Sequence, residues 1–346
     1  MKFIDLFAGI GGFRIALEKV GFQCSFSCEI DPACQEVYEK NYGEKPFGDI
    51  HKLDPETLND FDLLVAGFPC QPFSISGRKL GFEDIRGTLF FEICRIIEAK
   101  RPSLVILENV KHLLHHNQGQ TLQIILDSLV SLDYYVNYQI LNAKDFGLPQ
   151  HRERIFIVAA KNKPFDFDRL RFKKATQLRN FLKTTGEFEV LDKSEYTLID
   201  SPKKQPSGLI FVGYRNKGTW RKGIRPNTEH LSRVHRQPNR IYSIDGVHPT
   251  LPSQETSGRF FIYIPEQNIV RKLTIQECYR IMGFPSNFKM ANNLGECYKQ
   301  IGNSVCINVV ESLIKEVLRQ NLIFKNFSNG SQRKTNRNTQ LVFFNR

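Results

Sequence analysis

A cysteine set between two prolines, in 66-AGFPCQPFSISG-77, is the residue of this chain best placed for nucleophilic chemistry. Pro69 and Pro72 restrict their own backbone and that of Phe68 and Gln71, so Cys70 is expected on a stiff, exposed turn. A free thiol has a pKa of about 8.5, so Cys70 would need a positive neighbour or activation by its substrate to react as a thiolate. An exposed structural cysteine is the alternative. Glu108, in 108-ENV-110, follows an apolar run and is expected at the rim of a sheet. Burial there would raise its pKa and let it hold and donate a proton, unless it is a capping or salt-bridged acid. In 150-QHRER-154, strand alternation puts Arg152 and Arg154 on one face, which calls for an anion or a carbonyl between them.

A second group could hold a nucleoside. In 5-DLFAGIGGF-13 a strand ends near Phe7, and glycines 9, 11 and 12 open a turn into a helix. Such a turn lets backbone N–H groups approach a ligand closely. Gly9 and Gly11 fit the dinucleotide fingerprint, but Arg14 stands where its third glycine belongs. Glu29 in 28-CEID-31 and Asp49 in 48-GDI-50 place acids at successive strand ends, where ribose hydroxyls are often held. A nucleoside cofactor lacking a pyrophosphate is the better fit.

These groups need a frame. Strand-like runs at 2–7, 24–28, 61–67, 103–109, 134–141 and 154–160 alternate with helix-like segments at 12–21, 32–41, 88–100 and 121–131. Apolar runs between helices suit strands buried on both faces of a largely parallel sheet, so the first 160 residues read as a doubly wound α/β domain. From about 161 to 270 the pattern becomes irregular, with short β-like pieces at 209–213 and 259–264, and reads as a smaller, mostly β insertion. Helices return at 274–285 and 303–320, the second amphipathic enough to pack back on the first sheet.

Charge divides the chain in the same way. Residues 1–160 hold 16 Lys and Arg against 21 Asp and Glu, whereas 161–270 hold 20 against 11. A basic half beside an acidic one favours a polyanion, with nucleic acid the first candidate. The eight cysteines are scattered, unlike a disulfide scaffold or a zinc site, and no metal is expected. No apolar run approaches the roughly 20 residues of a membrane span, and no signal peptide opens the chain, so it reads as cytoplasmic.

In order and spacing, FIDLFAGIGGF, GFPCQPFSISG, ENV, QHRERI, RKLTIQECYRIMGFP and YKQIGNSV resemble the motifs of the bacterial cytosine-C5 DNA methyltransferases. The resemblance covers nearly the whole chain. It departs where 275-IQE-277 stands for the family's frequent Pro-Arg-Glu and where Tyr279 replaces a small residue. It implies a Rossmann-like S-adenosylmethionine-binding catalytic domain at 1–160, completed by about 295–325. A target-recognition domain would occupy 161–270 and a hinge 271–294, with a flexible basic tail at 328–346.

By the same resemblance, Cys70 would add to C6 of a flipped-out cytosine. Glu108 would protonate N3 and Arg154 would bind O2, with Arg152 close by. Phe7 would lie against the cofactor's adenine, and Ala8, Gly9, Gly11 and Gly12 would flank its methionine part. Glu29 would hold its ribose hydroxyls, with Ile30 also in the cofactor site, and Asp49 and Ile50 would contact the adenine. Pro69, Asn303, Ser304 and Val305 would close that pocket. Ser74, Ser76 and Arg78 would lie on a loop closing over DNA. Arg215, Arg221, Arg225, Arg233, Arg240 and Thr250 are candidate base or phosphate contacts, and Trp220 is either small-domain core or a stacking residue. The partner would be double-stranded DNA, bound by a monomer. A cognate restriction endonuclease would act at the same site without stable binding. A tRNA cytosine-C5 methyltransferase, a silent DNA-binding protein and, more weakly, a nicotinamide oxidoreductase are the alternatives.

Overall fold

The computed structural model describes residues 1–69, 89–216, 227–253 and 260–323. Cys70, Ser74, Ser76, Arg78, Trp220, Arg221, Arg225 and the tail from 328 lie outside the described residues. The first half supplies β1 (Lys2–Leu6), β2 (Gln23–Cys28), β3 (Leu63–Gly67), β4 (Leu104–Val110), β5 (Tyr135–Asn142), β6 (Gln150–His151) and β7 (Glu153–Ala160). All but β6 form one sheet in the order β2-β1-β3-β4-β7-β5. Strands β1 to β4 are parallel, while β7 runs antiparallel to both β4 and β5.

Alternation along these strands feeds two cores. Phe3, Leu63, Val65, Leu104, Ile106 and Val158 face one cluster, and Ile4, Leu64, Ala66, Val105, Leu107 and Ile157 face the other. Helices α1 (Gly12–Glu18) and α2 (Pro32–Tyr42) cover the first face, and α3 (Leu89–Lys100) and α4 (Gln120–Ser131) the second. Later in the chain come α5 (Ile275–Arg280), α6 (Leu294–Asn303) and α7 (Ile307–Arg319), all on the first face. Helix α7 buries Ile307, Val309, Val310, Leu313, Ile314 and Val317. At about 1.5–3 kcal/mol for each such side chain, this apolar stripe brings the C-terminal segment back across the basic insertion. The architecture is a doubly wound, Rossmann-like α/β domain, as the alternation predicts.

The insertion supplies β8 (Tyr196–Lys204), β9 (Ile210–Arg215), β10 (Arg240–Ser243), β11 (His248–Pro249), β12 (Phe261–Ile264) and β13 (Ile269–Lys272). Five of these form a second sheet, β13-β12-β10-β9-β8, and β11 crosses to pair with β6. Its small cores gather Leu191, Tyr196, Val212, Ile241, Phe261 and Val270 on one side and Leu209, Phe211, Tyr242 and Val247 on the other. A buried ion pair closes the insertion: Arg271 donates to both Glu277 oxygens at 2.9 and 2.8 Å. Glu277 also accepts from the backbone N–H groups of Lys183 and Thr274, so both of its oxygens are doubly bonded into the frame.

Three local expectations differ. The stretch 161–182, read as part of the insertion, sends Phe165, Phe167, Leu170 and Leu178 into the first core of the large sheet. The helix expected at 274–285 ends at Arg280, and a left-handed Gly283 follows. The helix expected from 303 starts later, and a separate helix precedes it. α6 ends at Asn303, and α7 begins only at Ile307, after the extended Ser304.

Candidate functional site

The carboxyl ends of β1, β2, β3 and β4 surround a cavity of about 690 Å³. Its lining runs from Phe7, Gly9 and Gly12 through Glu29, Asp49 and Pro69 to Glu108, Arg154 and Ser304. Of the residues expected to hold a cofactor, all but Gly11 line it. Phe7 adopts φ 55, a left-handed conformation costly for a bulky residue, so the end of β1 stores strain where it meets the cavity. Gly12 faces the other wall, and a Cβ there would meet Ser304 and Val305.

Glu29 is preorganised. Oε2 accepts the Gly9 N–H and Oε1 the Asp31 N–H, each at 2.8 Å, which leaves further lone pairs on both oxygens. Ile30 beside it is 67% exposed, an apolar surface at the cavity mouth. Asp49 is extended, at the end of the piece that pairs Phe47 with Cys28, as expected, and it caps a 3-10 turn at Ile50–Lys52 through the His51 N–H. The far wall comes from α6 and its exit. Lys299 bridges to Asp31 at 2.7 Å, and the Gln300 side chain donates to the Ala33 carbonyl. Those two ties, absent from the sequence reading, had a signal in YKQIGNSV, where Lys299 and Gln300 precede the expected Asn303.

At the other end of the cavity, Glu108 is 7% exposed and pairs with Arg154, Nε to Oε1, at 3.2 Å. Burial pushes its carboxyl above the ordinary value, against the opposing charges of Arg154 and Arg152. Strand pairing explains the position: Glu108 lies opposite Gly67 on β3 and Phe156 on β7, so the missing Gly67 side chain opens space before it. Asn109, another residue without an assigned role in the sequence, donates to the Phe68 carbonyl at 2.9 Å and thereby holds the approach to Pro69.

Arg152 does not line this cavity. The strand is broken between β6 and β7, so alternation does not carry from Arg152 to Arg154. The Arg152 side chain turns instead to the carbonyls of Leu251, Gly302 and Ser304, at 3.3, 2.8 and 2.7 Å. Burial lowers its pKa to about 10. The carbonyls anticipated for a guanidinium at this place belong to the protein itself.

The expected DNA contacts scatter by comparison. Arg215 lies over the Phe261 ring at 4.7 Å, and Arg240 donates to the His235 carbonyl and to Gln237. Thr250 donates to the His151 carbonyl at 2.8 Å. Arg233, with Arg236 nearby, is exposed. Among the described residues there is no His, Cys, Asp or Glu cluster able to hold a metal, and no helix long and apolar enough to cross a membrane.

Residues 1–319 match a family model described as C-5 cytosine-specific DNA methylase. The chain is 40% identical over 323 residues to the type II methyltransferase M.HhaI of Haemophilus parahaemolyticus, covering 90% of this chain and 92% of that one. It is also 40% identical over 318 residues to M.NgoBI of Neisseria gonorrhoeae, covering 91% and 92%. Among solved structures, a DNMT2 mutant of Spodoptera frugiperda superposes with TM-score 0.66 at 18% identity, covering 92% of this chain and 99% of that one. That likeness concerns the fold.

Proposed function

The chain belongs to the C-5 cytosine-specific DNA methylases, and we propose that it transfers a methyl group from S-adenosylmethionine to C5 of a flipped-out cytosine in a short duplex sequence. The observation that carries this reading is the single cavity joining the glycine turn and Glu29 to the Glu108–Arg154 pair. The donor fits the residues present. Glu29 has free lone pairs for ribose hydroxyls, Phe7 and exposed Ile30 offer apolar faces to an adenine, and Gly9 leaves open space beside the backbone. Bound there, S-adenosylmethionine would supply an electrophilic methyl group.

Cytosine C5 is a poor nucleophile, and the protein's residues must supply its electrons. The Cys70 thiolate adds to C6, forming an S–C6 bond while the C5–C6 π electrons move toward C5. Buried Glu108 donates its proton to N3 as charge develops there, and Arg154 donates hydrogen bonds to O2. Once C5 carries the methyl group, its proton passes to water. The C5–C6 double bond re-forms, the Cys70 thiolate leaves, and the N3 proton returns to Glu108. Arg152 acts on this chemistry only by holding Leu251, Gly302 and Ser304 in place.

The target atoms sit inside a stacked duplex, so flipping costs a few kcal/mol, which contacts from the basic insertion and from Ser74, Ser76 and Arg78 would offset. The relatives named as type II methyltransferases support a role in a restriction–modification system. In that role the enzyme would act as a monomer beside an endonuclease of the same specificity. Incubation with isotopically labelled donor and either duplex DNA or tRNA tests the reading. Label at cytosine C5 of DNA is expected, and label confined to tRNA contradicts it.

A further inference from the structure

The arginine that displaces the third fingerprint glycine takes no part in this chemistry, yet its surroundings are closely built. Arg14 is 9% exposed and stands on α1 just after Gly12 and Phe13, which line the cavity while Arg14 does not. Its Nε donates to Glu18 at 2.7 Å, and its Nη1 donates to the Tyr38 hydroxyl at 3.1 Å and to the Glu44 carboxylate. The guanidinium also lies over the Tyr42 ring, 4.3 Å from its centroid, and Tyr42 packs on Tyr38 at 4.5 Å. One planar cation thus fixes the last turn of α2 against α1, a task that combines stacking with a fork of donors and does not suit a lysine.

Tyr42 then reaches back to the glycine turn. Its hydroxyl donates to the Gly11 carbonyl at 3.0 Å. Gly11 has φ 85, and a Cβ there would collide with the Tyr42 ring. Gly11, unlike Gly9 and Gly12, is absent from the cavity lining, and its free side is filled by the Tyr42 ring. The front of the same turn presents Gly9, whose N–H fixes Glu29.

We propose that Arg14 and Tyr42 brace the glycine turn from behind and are positioning residues for binding of the methyl donor. The proposal rests on the reading of the cavity as the donor's site. A brace of this kind acts on donor affinity and leaves the DNA surface alone, because neither residue lines the cavity near Glu108 and Arg154.

Calorimetric titration of the full chain with S-adenosylmethionine, and a separate duplex-binding measurement without donor, test it. Wild-type protein that fails to bind the donor overturns the reading of the cavity, and the brace with it. If the wild type binds, Tyr42→Phe, which keeps the ring and loses one hydroxyl, is expected to bind the donor about fivefold more weakly, in line with one hydrogen bond. KM for the donor should rise by a similar factor, with kcat, Tm and DNA affinity near wild type. Arg14→Met should lose at least about tenfold, and Arg14→Lys should recover little of it. Donor affinity unchanged in Tyr42→Phe overturns the brace. So does a parallel loss of donor affinity, DNA affinity and Tm, which marks a general structural role. If Arg14→Met does not fold, Tyr42→Phe alone decides.

Discussion

The two sheets spend their polar residues in opposite ways. Around the large sheet, Glu29, Asp49 and Glu108 sit where extended segments end, each held by a hydrogen bond or an ion pair, and all three line one cavity. In the small sheet, two of the arginines expected to meet DNA are committed to the fold, Arg215 over Phe261 and Arg240 to His235 and Gln237, while Arg233 and Arg236 remain exposed. Chemistry at one carbon needs groups held to fractions of an ångström by a rigid scaffold. Binding to phosphates needs only charge within reach, and so tolerates an irregular frame.

The sharpest way to break that contrast is at the reacting end. Cys70→Ser should reduce methyl transfer to background in a tritium-transfer assay while duplex binding persists; residual turnover near wild type would remove the covalent route. Glu108→Gln keeps shape and hydrogen bonding but cannot give up a proton, and should cost about 10²-fold or more in kcat. A loss below about threefold would mean that N3 protonation does not need this side chain.

Between the sheets lies the Arg271–Glu277 pair, 1% and 0% exposed. Burial pushes the Glu277 carboxyl up, but hydrogen bonds from Arg271 and the backbone of Lys183 and Thr274 more than offset this, and the net shift is downward. A carboxyl whose folded value is depressed stabilises the fold above its unfolded value near 4.5 and loses that contribution as pH falls through the lower folded value. Glu277→Ala leaves a buried guanidinium unpaired and should cost about 3–5 kcal/mol. Denaturant midpoints between pH 7 and pH 3 should show the wild type losing stability faster than this variant; parallel curves would mean that the pair is not the source.

The smallest effect separates the arginines of the small sheet. Arg233→Ala and Arg236→Ala should each flatten the log–log salt dependence of duplex binding by about 0.9 if each meets one phosphate. Arg240→Ala should leave that slope alone and lower Tm, because its donors are spent on the His235 carbonyl and Gln237. A change of slope from Arg240→Ala would erase the distinction.

The same contrast governs what the sequence could disclose. Strands buried on two faces read as unbroken apolar runs, so 63-LLVAG-67 and 104-LVILENV-110 were legible, and the loops after them followed. The glycine turn and Glu29 were legible because close backbone approach leaves a mark on residue type. Arg152 was misplaced because its strand breaks at that residue, and a break of one position leaves no trace in composition. Helix α6 was missed because Asn303, read as the start of the next helix, closes a preceding one whose apolar side is Cys297, Tyr298 and Ile301. The contacts of Arg215 and Arg240 were illegible for another reason. Lone arginines carry no signal of whether a ring, a carbonyl or a phosphate awaits them.

The covalent chemistry proposed for the cavity turns on a bond between Cys70 and the cytosine ring. The direct measurement is mass spectrometry of the protein after incubation with a duplex carrying 5-fluorocytosine at the target position, together with S-adenosylmethionine. Fluorine cannot leave as a cation, so the last step is blocked. A stable adduct on the peptide containing Cys70, absent without the donor or with Cys70→Ser, is the expected result. Methylation of unfluorinated duplex by a preparation that never forms this adduct would contradict the account.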